Sequence, residues 1–133
     1  MQLSDHIIRF DGARIYYVTA GERTNRLLVF LHGAPWGAKC HDVVKELAKY
    51  FFVIAPEQPG FGRSDPLLSY TDLPMQYADV IHHILTQEHC DAARPIIHAQ
   101  SFGGYAAHGY LKKYPHNVGC LVLTDAVMPT MPI

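Results

Sequence analysis

Ser101 stands in Ala99-Gln100-Ser101-Phe102-Gly103-Gly104, directly after the apolar run Pro95-Ile96-Ile97-His98. A serine with small residues two positions to either side, after a buried strand and before a helix, predicts a very tight turn. Larger side chains at those two positions would clash, and Gly104 lets the following helix pack closely. Such a turn lifts the hydroxyl to the top of a sheet, where a substrate can reach it. Other residue types that could do chemistry are spaced less tellingly. The histidines are numerous, but none has metal-ligand spacing such as His-Glu-x-x-His, and His82-His83 face apart on a helix. Pro59-Gly60-Phe61-Gly62 is followed by no Gly-Lys-Ser/Thr, so it is not a phosphate loop. No metal or cofactor is expected.

The elements that must position Ser101 follow from hydropathy. Ile7 to Phe10 and Ala13 to Thr19 read as strands joined at Asp11-Gly12, a hairpin turn signal. Leu27 to Leu31 and Phe51 to Ala55 are continuous apolar runs, as in strands buried on both faces. Val43, Val44, Leu47 and Ala48 recur at helical spacing, as do Tyr77, Ala78, Ile81, Ile84 and Leu85. A helix is expected from about Phe102 to Tyr114, closed by Pro115, and Leu121-Val122-Leu123 reads as a last strand. The expected fold class is therefore α/β. It is an open, mostly parallel sheet of about six strands, opened by an antiparallel hairpin and flanked by helices on both faces. Chemistry in such sheets sits at the carboxyl ends of the strands.

Composition bounds the function. With 133 residues, a single domain over residues 1–133 is the expectation. Apolar residues make up 49% of the chain and the formal net charge is −1, so there is no basic excess to attract nucleic acid or an anionic membrane. No apolar run approaches the roughly 18 residues of a membrane span. The start, Met1-Gln2-Leu3-Ser4-Asp5-His6, lacks the basic and apolar regions of a signal peptide. Three widely spaced cysteines with no Cys-x-x-Cys read as reduced thiols of a cytoplasmic protein.

Three segments at strand ends carry a family resemblance. Leu31-His32-Gly33-Ala34-Pro35 resembles the oxyanion loop of the α/β-hydrolases, Pro59-Gly60-Phe61-Gly62-Arg63-Ser64-Asp65 resembles their Pro-Gly-x-Gly-x-Ser segment, and Ala99 to Gly104 resembles their nucleophile turn. The resemblance covers the family's first six strands. Ala99 replaces the usual glycine, and Gln100 stands where histidine often precedes the nucleophile. The cap and the later strands that deliver an acid and a histidine in this family would follow Ile133.

The resemblance implies that Ser101 attacks a carbonyl carbon, with the backbone N–H groups of Ala34 and Phe102 as oxyanion donors. A serine nucleophile argues against the dehalogenase and epoxide-hydrolase branches, which attack with a carboxylate. The implied function is that of an esterase-like serine hydrolase acting on a small acyl substrate through an acyl-serine intermediate. Trp36 is a candidate pocket residue beside the oxyanion loop. His32 is expected to fix that loop by hydrogen bonding, and His98 to be a buried, satisfied strand residue. Asp125, after the last strand and beside the serine strand, is a candidate catalytic acid, with a turn or capping role as the alternative. No histidine within one chain is obviously placed to serve Ser101. The last strand is expected at a bare sheet edge, which predicts a homodimer by antiparallel strand pairing. Pairing of that kind carries His116 of the partner subunit toward the active-site end as a candidate base; a solvated turn residue is its ordinary reading. Two other readings stay open: a non-catalytic binding module of the same fold, and a fragment of a longer hydrolase.

Overall fold

The apolar runs become the centre of one sheet because only a strand paired on both sides, with helices on both faces, can bury every residue of a run like Leu27 to Leu31. A computed structural model describes residues 2–34 and 41–128. Its strands are β1 (Ser4–Phe10), β2 (Ala13–Ala20), β3 (Leu27–Leu31), β4 (Phe52–Pro56), β5 (Ile96–Gln100) and β6 (Cys120–Thr124). Its helices are α1 (His41–Leu47), α2 (Leu73–Gln87) and α3 (Gly103–Lys113), with a 3-10 turn at Pro115–Asn117. The sheet order is β1-β2-β4-β3-β5-β6. β2 pairs antiparallel with both β1 and β4, and the remaining pairs are parallel. This is the expected mixed sheet opened by an antiparallel hairpin.

Two cores hold it. On one face Val29, Leu31, Ile54, Ile97 and Ala99 pack with Ala78, Ile81 and Ile84 of α2 and Ala106 and Tyr110 of α3. On the other, Leu28, Phe30, Val53 and Ala55 meet Val44 and Ala48 of the α1 region. Alternation along each strand sends successive side chains into opposite cores.

α2 begins at Leu73, earlier than its apolar face suggests. The Asp72 side chain caps the Met75 N–H, and Gln76 Oε1 accepts from the N–H groups of Thr71 and Asp72 at 2.9 and 3.0 Å. This reciprocal capping is polar and so invisible to a hydrophobic count.

From β3 the chain crosses first to β4 on one side and then to β5 on the other. That reversal makes the β3–β5 boundary a topological switch point, where a crevice opens at the carboxyl ends.

Candidate active site

Ser101 occupies that crevice. It follows Gln100, the last residue of β5, and has φ of +49°, a left-handed conformation that costs a non-glycine residue roughly 1–2 kcal/mol. Backbone bonds over-determine it. Its N–H donates to the Thr124 carbonyl at 3.0 Å, and its carbonyl accepts from Gly104 at 3.0 Å and Val127 at 2.8 Å. The small residue at position 103 is needed for close approach to the end of β3. A Cβ on Gly103 would run into the carbonyls of Leu31 and His32. The turn therefore packs directly on the loop after β3.

That loop lies against the serine. A Cβ on Gly33 would come within 3.2 Å of the Ser101 Cβ. Gly33, Ala34, Gln100, Ser101, Thr124 and Asp125 together line a cavity of about 280 Å³. Phe102 sits at the N-cap of α3, where the first helical N–H groups have no partner within the helix. Its ring packs on Phe61 and Tyr105, with centroids 5.2 and 5.1 Å apart.

His32 holds the loop, as its position suggested. It is 1% exposed. Its Nδ1 lies 2.8 Å from the Gly33 carbonyl, and its Nε2 accepts from the Gln58 N–H at 2.9 Å. Burial lowers its pKa, against weaker opposing pulls from the Gly33 bond and the Glu57 carboxylate. The ring is therefore neutral at pH 7 and committed at both nitrogens, so it is no base for Ser101.

The Pro-Gly-Phe-Gly-Arg-Ser segment is an anchor. Ser64 Oγ donates to the Glu57 carbonyl at 2.6 Å and accepts from the Tyr16 N–H at 2.9 Å. Arg63 pairs with the buried Glu57 carboxylate at 2.8 Å and with Asp5 at 2.9 Å. These bonds fix the loop after β4, from which Gln58 reaches His32 and Phe61 reaches Phe102.

The remaining candidates fall on both sides of the crevice. Asp125, with φ of +45°, shares the cavity with Ser101. His98 is bonded to Thr124 Oγ1 at 3.0 Å and set edge-on to Phe30, but is only half-buried because β6 is the last strand among the described residues. His116 is exposed in the 3-10 turn before β6, and since β5 and β6 are parallel it lies at the opposite end from Ser101 within the chain. Trp36 lies outside the described residues. Thr124, Gln100 and the backbone of Gln58 are site residues that the sequence reading missed. They matter through backbone atoms or neighbourhood, which leave no residue-type signal. Among the described residues there is no cluster of metal-ligating side chains, and no helix is long and apolar enough to cross a membrane.

The α/β hydrolase fold family matches residues 26–133. The chain belongs to that family. An abhydrolase domain-containing protein of Caenorhabditis elegans is 33% identical over 104 residues, 74% of this chain and 22% of its own length. A haloalkane dehalogenase of Psychrobacter cryohalolentis is 29% identical over 120 residues, 88% of this chain and 39% of the dehalogenase. Among solved structures, the esterase RhEst1 from a Rhodococcus species superposes with a TM-score of 0.81 at 28% identity, over 96% of this chain and 46% of the esterase. The chain thus spans less than half the length of these relatives. Hydrolases of several chemistries share its fold.

Proposed function

We propose that this α/β-hydrolase chain is a serine hydrolase acting on small carboxylic esters or related acyl compounds. The observation that carries the reading is the strained Ser101 at the switch-point crevice, with the Gly33–Ala34 peptide against it. A serine there, where the carboxylate-attacking branches need an acid, favours acyl transfer over dehalogenation or epoxide opening. Ser101 Oγ attacks the carbonyl carbon as its proton passes to a base. The oxyanion is met by the N–H groups of Ala34 and Phe102. The leaving alcohol takes that proton as its C–O bond breaks, and water then cleaves the acyl-serine. Asp125 orients the base. The cavity, about 280 Å³, suits a short acyl group. No cofactor takes part, and the free thiols among the described residues, Cys90 and Cys120, suit the reducing cytoplasm.

The base belongs to the same proposal. β6 carries no charged residue, whereas the opposite edge strand β1 carries Asp5 and Arg9 and is tied to Arg63. Charge is the usual guard of a sheet edge, and β6 lacks it. A second copy pairs antiparallel along β6, and His116 of the partner subunit, in the turn before that strand, comes to the Asp125 end and receives the proton.

The test is hydrolysis of short activated esters by the chain and by Ser101→Ala. Weak, broad activity is expected from the chain, and from the variant at most the roughly 10³–10⁴-fold acceleration over water that oxyanion stabilisation and binding give without the nucleophile. Equal rates would overturn the catalytic reading in favour of a binding module. Mixing Ser101→Ala with His116→Ala then tests the shared base: exchanged dimers regain activity, and full activity in His116→Ala alone removes His116 from the mechanism.

A further inference from the structure

Ser101 and Asp125 follow different strands, yet two backbone bonds lock their loops together. The Ser101 N–H donates to the Thr124 carbonyl at 3.0 Å, and the Val127 N–H donates to the Ser101 carbonyl at 2.8 Å. Both ends of Ser101 are thus held by one short segment, residues 124–127. Asp125 is enclosed within it and is itself left-handed, with φ of +45° against +49° for Ser101.

Gly104 lets the segment come so near. A Cβ there would strike the Val127 carbonyl and come within 3.1 Å of the Val127 nitrogen, the atom that carries the bond to Ser101. The close approach that this glycine permits is therefore with the loop after β6. The Val127 side chain is 44% exposed, so a backbone bond rather than apolar burial seats the segment against α3.

We propose that residues 124–127 form a clamp, with the Val127 N–H as its positioning group, that keeps Ser101 left-handed and sets its place relative to Asp125. A serine free to relax leaves that region, because its Cβ crowds the following carbonyl. With the N–H and the carbonyl both pinned to one segment, φ and ψ cannot turn without breaking a bond. The Gly104 N–H bond to the same carbonyl, at 3.0 Å, lies within the serine turn and moves with it, so it offers less resistance. The two pinned dihedrals also fix the direction of the Cα–Cβ bond, and so where the hydroxyl enters the cavity that Asp125 shares. The consequence for acyl transfer rests on the serine-hydrolase reading above; the clamp itself does not.

The test removes one hydrogen-bond donor and nothing else. Gly119-Cys120 is a ligation point, so a thioester of residues 1–119 joined to a synthetic peptide of residues 120–133 rebuilds the full chain. The peptide carries either the native Val127 amide or an ester oxygen in place of its N–H, with the valine side chain kept. Val127→Ala is the opposite control, since it keeps the N–H and trims the side chain. Gly104→Ala pushes the segment away from the other side. Three quantities are measured: the rate at which a fluorophosphonate labels Ser101, the Ser101 HN–Hα coupling that reports φ, and the unfolding midpoint in urea, which shows that each chain is folded.

Val127→Ala should label within about twofold of the parent, whereas the ester chain and Gly104→Ala should label up to about tenfold more slowly, the ratio that the cost of a left-handed residue sets once little opposes its relaxation. In both slow chains the Ser101 coupling should change. An ester chain within about threefold of the parent, slowing with the Ser101 coupling unchanged, or Val127→Ala as slow as the ester chain would each overturn the clamp. If neither slow chain folds, the parent decides: a coupling through the hydrogen bond from the Val127 nitrogen to the Ser101 carbonyl carbon supports the clamp, and its absence overturns it. A serine that labels in no chain, but whose φ changes in the ester chain, sinks the acyl-serine reading and supports the clamp.

Discussion

At the scale of single residues, the crevice holds two strained backbone positions. Ser101 and Asp125 both have positive φ without being glycine, and both face the same cavity. Such strain persists only where surrounding bonds over-determine it, and here the Ser101 backbone makes three. Burial depresses the pKa of His32, and also of His98, from the ordinary 6.5. Between that value and the lower folded value the unfolded chain binds more protons than the folded one. Stability therefore falls as pH drops below about 6.5 and levels off beneath the folded pKa. Denaturant melts at stepped pH should show this slope, and His32→Asn should flatten part of it, the remainder belonging to His98. A slope unchanged by His32→Asn would mean that His32 is not buried in its neutral form.

At the scale of elements, contact between α2 and α3 sets where the serine helix lies. Gly109 of α3 crosses the first turn of α2 so closely that a Cβ would strike the carbonyl of Pro74. That carbonyl is backbone and cannot swing aside. Gly109→Ala is expected to cost about 1–3 kcal/mol, the usual range for overpacking, read as a lower urea midpoint with an unchanged slope. Because α3 carries Phe102 at its N-cap, the same variant should also slow labelling of Ser101. A variant as stable as the parent would show that the two helices can separate freely. At the other end of α2, Tyr17 donates to Glu88 at 2.6 Å and Arg23 pairs with the same carboxylate. Burial alone would raise the Glu88 pKa, but these bonds outweigh it and lower it, so this link between β2 and α2 is lost only as the pH falls below the ordinary carboxylate value.

At the scale of the molecule, the two outermost strands among the described residues differ. β1 is charged and tied down by Arg63, while β6 presents Val122 at 42% and Leu123 at 45% exposure with no charge nearby on the strand. Under the proposed pairing, the chain should be a dimer at micromolar concentration by light scattering. Val122→Lys, which places like charges opposite each other in a two-fold pair, should give monomers. A monodisperse monomer from the parent chain would remove the dimer and, with it, the route by which His116 of the partner subunit reaches Ser101.

Much of this protein could be read from its sequence, because the deciding patterns are local. Continuous apolar runs specify strands buried on both faces, Asp11-Gly12 specifies the hairpin, and a serine among small residues between strand and helix specifies the strained turn. The loop-holding role of His32 was also legible, since it stands beside the loop it holds. The early start of α2 was not, because its caps are polar side chains working at a distance of a few residues. What only the tertiary structure decided is adjacency. Local pattern does not encode the order β4-β3-β5, yet that order alone brings Gly33 against Ser101 and makes the crevice between them. Nor does it encode that the Gln58 N–H meets His32 Nε2. A tautomer is fixed by the partners of both ring nitrogens, and while Gly33 is the next residue, Gln58 comes from the loop after β4 and meets the ring only when the sheet is assembled.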